Sequence, residues 1–323
     1  MKDFLLKVTS VAFGAALAGA IMLGKPTDSY AAETQDYELI IEDGVVTDYT
    51  GTPVNVVIPE GVTEIGEWAF WSCDSLESVI IPEGVTRIGA AAFGDCDSLE
   101  SIIIPEGVTE ICALAFEECD SLSEVEIPSS VTQFGIGAFG RNYNGATPWL
   151  LEKQNENPLV IVNQVLLDAT AAKGDIVIPD GVTIAEQAFA HSNNAISVKL
   201  PSTLTEIPEG LFLDCTSLTN VEIPNSVTKI NDDAFAYCTS LTSIEIPDSV
   251  TSIGSWAFEN CTSLTSIKLP NCTIDSEVFT GCSALKDILF TVLPASVDRY
   301  TFQDTEWMKL QREKNPLVVL NEF

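Results

Sequence analysis

The sequence predicts an α/β or mainly β solenoid, a right-handed coil with a parallel sheet on one face and short helical or 3₁₀ turns on the other. Three observations carry that reading. The first is a period: Pro59, Pro82, Pro105 and Pro128 stand 23 apart, and Pro179, Pro201, Pro224, Pro247, Pro270 and Pro294 follow at 22 to 24. The second is what surrounds each proline, an apolar strand-like run before it and an Ala-Phe pair after it, as in Val57-Ile58-Pro59 through Ala69-Phe70. The third is composition. With 46% hydrophobic residues the chain can build a core in spite of a formal net charge of −32, which argues against disorder. A fixed period of 20 to 30 residues with leucine-like positions reads as a leucine-rich-repeat solenoid, in which each coil is stabilised by its neighbours.

Residues 1–31 read as a signal peptide. Lys2 and Lys7 precede an apolar run from Val8 to Leu23, and Ser29 and Ala31 stand at the −3 and −1 positions of a cut. The 16-residue run is Gly/Ala-rich and short for a span of about 20. The expectation is a secreted chain with no transmembrane segment after signal cleavage. Residues 32–58 form an N-terminal hairpin cap, with Asp43 and Gly44 as a two-residue turn. Residues 59–140 are the first repeat block.

Within a coil, Leu99, Ile102 and Ile104 have the spacing of a strand with alternate side chains inward. Pro105 ends it, because proline offers no N–H to a ladder. It is read as the second residue of a tight turn with Glu106 and Gly107. Since Ser130, Ser226 and Ser249 stand where other coils have glycine, positive φ is not demanded and type I is expected. Val79, Ile102, Val125, Val198, Val221, Ile244 and Ile267 share one inward strand slot. Phe70, Phe93, Phe116, Phe139, Phe189, Phe212, Phe235, Phe258, Phe279 and Phe302 share another and should stack as a spine.

Residues 141–178 are a helix plus a hairpin. Thr147 through Val160 recurs at Thr305 through Val318, an offset of 158, with threonine as N-cap. Residues 157–179 align with 37–59 at an offset of 120. Residues 179–304 form the second repeat block, and 305–323 start a further unit that stops in mid-repeat.

The charge excludes a nucleic-acid partner, since 47 acids against 15 bases leave no basic face for phosphates. The single histidine, His191, removes zinc sites built from imidazoles. Cys73, Cys96, Cys119, Cys215, Cys238, Cys261 and Cys282 hold one slot and are read as a ladder of reduced, buried thiols capping backbone groups. Cys112 and Cys272 fall outside it and are the candidates for reactivity. Asp74, Asp97 and Asp120, like Glu60, Glu83 and Glu106, stack as like charges and are read as solvated surface rather than calcium sites. Trp68, Trp71 and Trp256 occupy slots that other coils fill with small or polar residues, and are expected to be exposed. No phosphate-binding glycine loop, nucleophile elbow or zinc spacing occurs, so no catalytic residue, metal or cofactor is assigned.

The run Ile-Pro-x-x-Val-Thr-x-Ile-Gly-x-x-Ala-Phe-x-x-Cys-x-Ser-Leu-x-x-Ile resembles the BspA-type leucine-rich repeat of secreted bacterial surface proteins, over nearly all of residues 37–323. The resemblance implies a non-enzymatic extracellular interaction protein, in some members an adhesin for host matrix proteins and in others a module of larger surface or cellulose-degrading assemblies. The expected function is a protein-binding or adhesion scaffold at or outside the cell surface. Two alternatives stand beside it: a glycan-binding module, and the repeat region of a larger enzyme with its catalytic domain beyond residue 323. Strand alternation locates the ligand face on the outward positions of the first block, Val57, Ser78, Ile80, Ser101, Ile103, Glu124 and Glu126. There Val57, Ile80 and Ile103 occupy the slot that later coils give to Lys199, Glu222, Glu245 and Lys268.

Overall fold

A computed structural model of the chain describes residues 6–7, 36–140, 145–291 and 300–314. Most of the proposed signal peptide and the end of the final unit therefore lie outside the described residues. The chain divides into two compact units, residues 1–133 with 137–149, and 134–136 with 150–323.

The first unit opens on a hairpin, Tyr37–Glu42 against Val45–Gly51. Its turn residues Asp43 and Gly44 both have positive φ, 49° and 83°, the geometry that matches the right-handed twist of two paired strands. Leu6–Lys7 pairs antiparallel with Ile40–Ile41. The second hairpin strand then begins a parallel ladder with Glu64–Ile65, Arg87–Ile88 and Glu110–Ile111. A second ladder stacks Asn55–Val57 on Ser78–Ile80, and Ser101–Ile103 on Glu124–Glu126. Each coil thus supplies two strands where the sequence suggested one. The shorter is only two residues long, too short for an alternation of apolar and polar residues to be read.

Proline closes the longer strand, but at the first position of the following turn rather than the second. The Pro105 carbonyl accepts from the N–H of Val108 (3.1 Å), as Pro82 does from Val85 and Pro128 from Val131. The geometry needs the ring to stop the ladder and the carbonyl to close the turn. Both turn forms occur: Gly61 and Gly181 have φ of 90° and 83°, whereas Gly84 and Gly107 stay outside the left-handed region. Ser226 and Ser249 replace that glycine and donate to Leu204 and Val227 carbonyls one coil back.

The back of each coil is a chain of i→i+3 turns, the 3₁₀ hydrogen-bond pattern, interrupted by left-handed residues. In the first coil Ala69 donates to Gly66 and Trp71 to Trp68, while Trp68, Phe70 and Ser72 donate to the carbonyls of Ala90, Ala92 and Gly94 in the next coil. Trp68 and Ser72 have φ of 61° and 57°. The same two slots are left-handed at Ala91 and Asp95, and at Leu114 and Glu118. Successive N–H groups therefore point alternately within the coil and to the neighbouring coil, so the back is bonded in both directions without forming a continuous helix.

The core is the apolar lining of the coils. Phe70, Phe93, Phe116 and Phe139 stack at centroid distances of 5.2 to 5.4 Å with interplanar angles of 2° to 7°. Tyr49 extends the stack at one end, and at the other Trp149, in the first turn of α1 (Pro148–Glu156), tilts across Phe139 at 4.6 Å.

The second unit repeats the plan. A hairpin of Val160–Val162 and Val165–Asp168 turns at Asn163 and Gln164, both with positive φ. Buried Asp168 accepts from Gln154 of α1 at 2.7 Å. Parallel ladders follow through Gly174–Val177, Ala195–Lys199 and Asn220–Glu222, and through Ser243–Glu245, Ser266–Leu269 and Asp287–Phe290. The two-residue ladder runs from Glu206–Ile207 to Thr273–Ile274. Phe189 through Phe302 follow one another at centroid distances of 5.0 to 5.5 Å, with Phe189 tilted 41° to Phe212 and the later rings stacked. Trp307 of α2 (Glu306–Lys314) closes that stack as Trp149 closes the first, and Thr305 caps the helix by accepting from the N–H of Met308 (3.1 Å).

Candidate functional site

The strand alternation that buries Val56, Val79 and Ile102 turns Val57, Ile80 and Ile103 outward, with 51%, 64% and 61% of their surface exposed. Val57 lies directly opposite Ile80 in register, and Ile103 opposite Glu126. Ser101, Glu124 and Glu126 are exposed, and Ser78 is half-buried, its hydroxyl donating to Asn55 Oδ1 at 2.6 Å. In the second unit the same slot reads Val177, Lys199, Glu222, Glu245, Lys268 and Leu289. There Lys199 pairs with Glu222 at 3.2 Å and Lys268 with Asp248 at 3.3 Å. The slot therefore holds charged pairs as readily as bare aliphatic side chains, and packing does not dictate its chemistry.

The remaining candidates separate in space. Seven thiols hold one slot, and six of them donate to the Phe carbonyl of the preceding coil, as Cys96 to Phe70 (3.2 Å) and Cys119 to Phe93 (3.0 Å). Cys73, with no such coil before it, faces the Pro53 carbonyl. All nine cysteines are free. Burial pushes the thiols of Cys119 and Cys215 up to about 12. Cys112 is buried and bonded to Glu110, and its thiol is likewise pushed up to about 12, by desolvation first and then by that bond. Cys272 is raised to about 11. Neither is activated, because a nucleophilic thiol needs its pKa lowered. The ring of His191 sits in a left-handed turn with Nδ1 3.1 Å from Asp214 Oδ2.

Asp74 and Asp97 of the carboxylate ladder, together with Asp95 from outside it, place oxygens within 4.8 Å of one another. Burial, then the carboxylates of Asp120, Asp95 and Asp74, raise Asp97 above its ordinary range. Trp68 and Trp256 are exposed, at 56% and 39%, but Trp71 is half-buried against the next coil. One feature escaped sequence reasoning altogether. On the two-residue ladder Arg87 bonds Glu64 on one side and Glu110 on the other, the latter at 3.3 Å. Its signal is a single basic residue in a slot otherwise held by glutamate in adjoining coils. Among the described residues no helix is long and apolar enough to cross a membrane.

Residues 49–145 and 176–309 match the BspA type leucine-rich repeat region in 6 copies. Several solved structures are similar, among them the following three. A leucine-rich cell surface protein of Faecalibacterium prausnitzii A2-165 shares 24% identity at a TM-score of 0.46, with 82% of this chain and 96% of that one covered. A leucine-rich repeat protein of Bacteroides ovatus ATCC 8483 shares 25% at 0.44, covering 81% and 71%. The leucine-rich repeat protein of T. pallidum shares 27% at 0.31, covering 73% and 91%. No curated protein sequence matches the chain.

Proposed function

The chain belongs to the BspA-type leucine-rich-repeat family, and from that premise we propose that it is a secreted, non-catalytic adhesion scaffold that binds an extracellular protein through the outward strand face of the first unit. The observation that supports this reading is the row Val57, Ile80 and Ile103, three aliphatic side chains more than half exposed in a slot where the same fold accepts lysine and glutamate. Exposed apolar stripes rimmed by polar groups mark protein contacts, and here Glu124 and Glu126 form the rim. A chain with net charge −32 favours a partner whose contact surface is apolar and basic.

Ile80→Lys together with Ile103→Lys tests this directly. Against a panel of immobilised matrix proteins, the double variant should lose binding while its melting temperature matches the parent. Parental binding by the variant removes this face from the reading, and unfolding of the variant would mean that these positions contribute to packing. Secretion has its own test. Expressed from residue 1, the exported protein should begin at Ala32, and an intact N-terminus in the medium or a membrane-retained product would overturn it.

A further inference from the structure

The back of the first coil carries two indoles that the repeat does not need. Trp68 fills a slot held by Ala91, Leu114 and Gly137 in the following coils, all left-handed. A glycine meets that conformation without strain. A tryptophan there has a φ of 61° and leaves 56% of its surface in water, so it contributes neither backbone ease nor burial. Trp71, three residues on, contacts it edge to face, with centroids 4.8 Å apart and planes at 64°. Trp71 is seated by design of the next coil: a Cβ on Gly94 would lie 2.3 Å from Trp71 Cζ3. Gly94 thus leaves the room the ring occupies, in a slot where the coil after it has Glu117.

The surroundings decide what could rest on this pair. Ser72 follows Trp71 and donates to Asp95, which follows Gly94. Asp74 and Asp97 bring their carboxylates up to the same Asp95. The outward face of the Trp68 indole, with Trp71 edge to face behind it, matches the C–H face of a pyranose, and the carboxylates of Asp74, Asp95 and Asp97 on the same two coils are acceptors for sugar hydroxyls. The three acids repel uronates, sulfates and sialic acids. An organic cation is the competing occupant of an exposed indole near carboxylates, and choline is the probe that tests it. We propose that Trp68 and Trp71 form a binding site for a neutral polysaccharide, distinct from the strand face and independent of the protein-binding reading.

Isothermal titration with cellohexaose, mannohexaose and chitohexaose tests the site, with hyaluronan hexasaccharide and choline as controls. At least one neutral hexasaccharide should bind with a Kd of about 1 mM or tighter, and both controls should fail. Trp68→Ala and Trp68→Gly should each weaken binding at least about tenfold with melting temperatures no lower than the parent's. The glycine variant retains the left-handed backbone and keeps the test valid if alanine disturbs the turn. Trp256→Ala and the Ile80→Lys/Ile103→Lys double variant should bind the sugar as the parent does. The proposal fails if no neutral hexasaccharide binds, if the Trp68 variants bind like the parent, or if choline binds in the sugar's place.

Discussion

The thiol of Cys119 donates to the carbonyl of Phe93 while the Phe116 ring lies on the Phe93 ring, so one pair of coils is joined by a polar and an apolar contact a few residues apart. Phe116 is fully buried, and Phe116→Ala should cost about 3 to 5 kcal/mol, the range for deleting a buried aromatic side chain. Denaturant melts measure the loss, and hydrogen exchange should show the coils on either side loosening with it. The thiols make a second prediction. Their folded pKa values are raised, to about 12 for Cys119 and Cys215, above an unfolded value of about 8.5. The folded state therefore holds these protons longer than the unfolded one. The stability they contribute is complete below about pH 8.5 and is lost as pH rises from there towards 12. Denaturation midpoints should fall between neutral and strongly alkaline buffer, and Cys119→Ser should reduce the slope. A thiol reagent should find few groups in the folded protein and nearly all nine after unfolding.

At the scale of elements, the Glu64, Arg87 and Glu110 row shows how a ladder of identical slots avoids stacking like charges. Arg87→Glu places three glutamates in line on adjacent strands, and should destabilise the first unit by about 1 to 2 kcal/mol, an effect that salt should diminish. Whether an element could be read from sequence depended on how often it repeats and how long it is. The strands that bury Val79 and Ile102, the Phe spine and the thiol slot recur in coil after coil, and the hairpin turn at Asp43-Gly44 has residues suited to one backbone form. The two-residue strands such as Glu64–Ile65 have no alternation to detect. The tryptophans that close the stacks, Trp149 and Trp307, recur at the offset of 158, but that recurrence says nothing of the phenylalanine rings they lie against. Proline suits both the first and second positions of a turn, so Pro105 alone could not say which. Of the candidate site, the exposure of Val57, Ile80 and Ile103 followed from alternation, whereas the seating of Trp71 over Gly94 depends on two coils at once and has no signature within either.

For the molecule as a whole, a net charge of −32 on 323 residues sets acids against one another across every coil. Added salt should therefore raise the melting temperature between about 0.01 M and about 1 M, across which the screening length shrinks from about 30 Å to about 3 Å. A fall instead would mean that ion pairs such as Lys199–Glu222 outweigh the repulsion. The alternating N–H groups of the back turns bear on something other than stability. Because each coil bonds only to the coil before and the coil after, its surroundings are the same wherever it stands in a row of like coils. Excising Asn225 through Pro247, one 23-residue period, would bring Phe212 onto Phe258 and present Cys261 to the Phe212 carbonyl, each a contact the protein already makes between other neighbours. Such a shortened protein should fold with unchanged circular dichroism per residue. Repeat number is then a quantity that unequal recombination can change in whole steps, so that a gene of this kind can vary the reach of its product without redesigning any part of it.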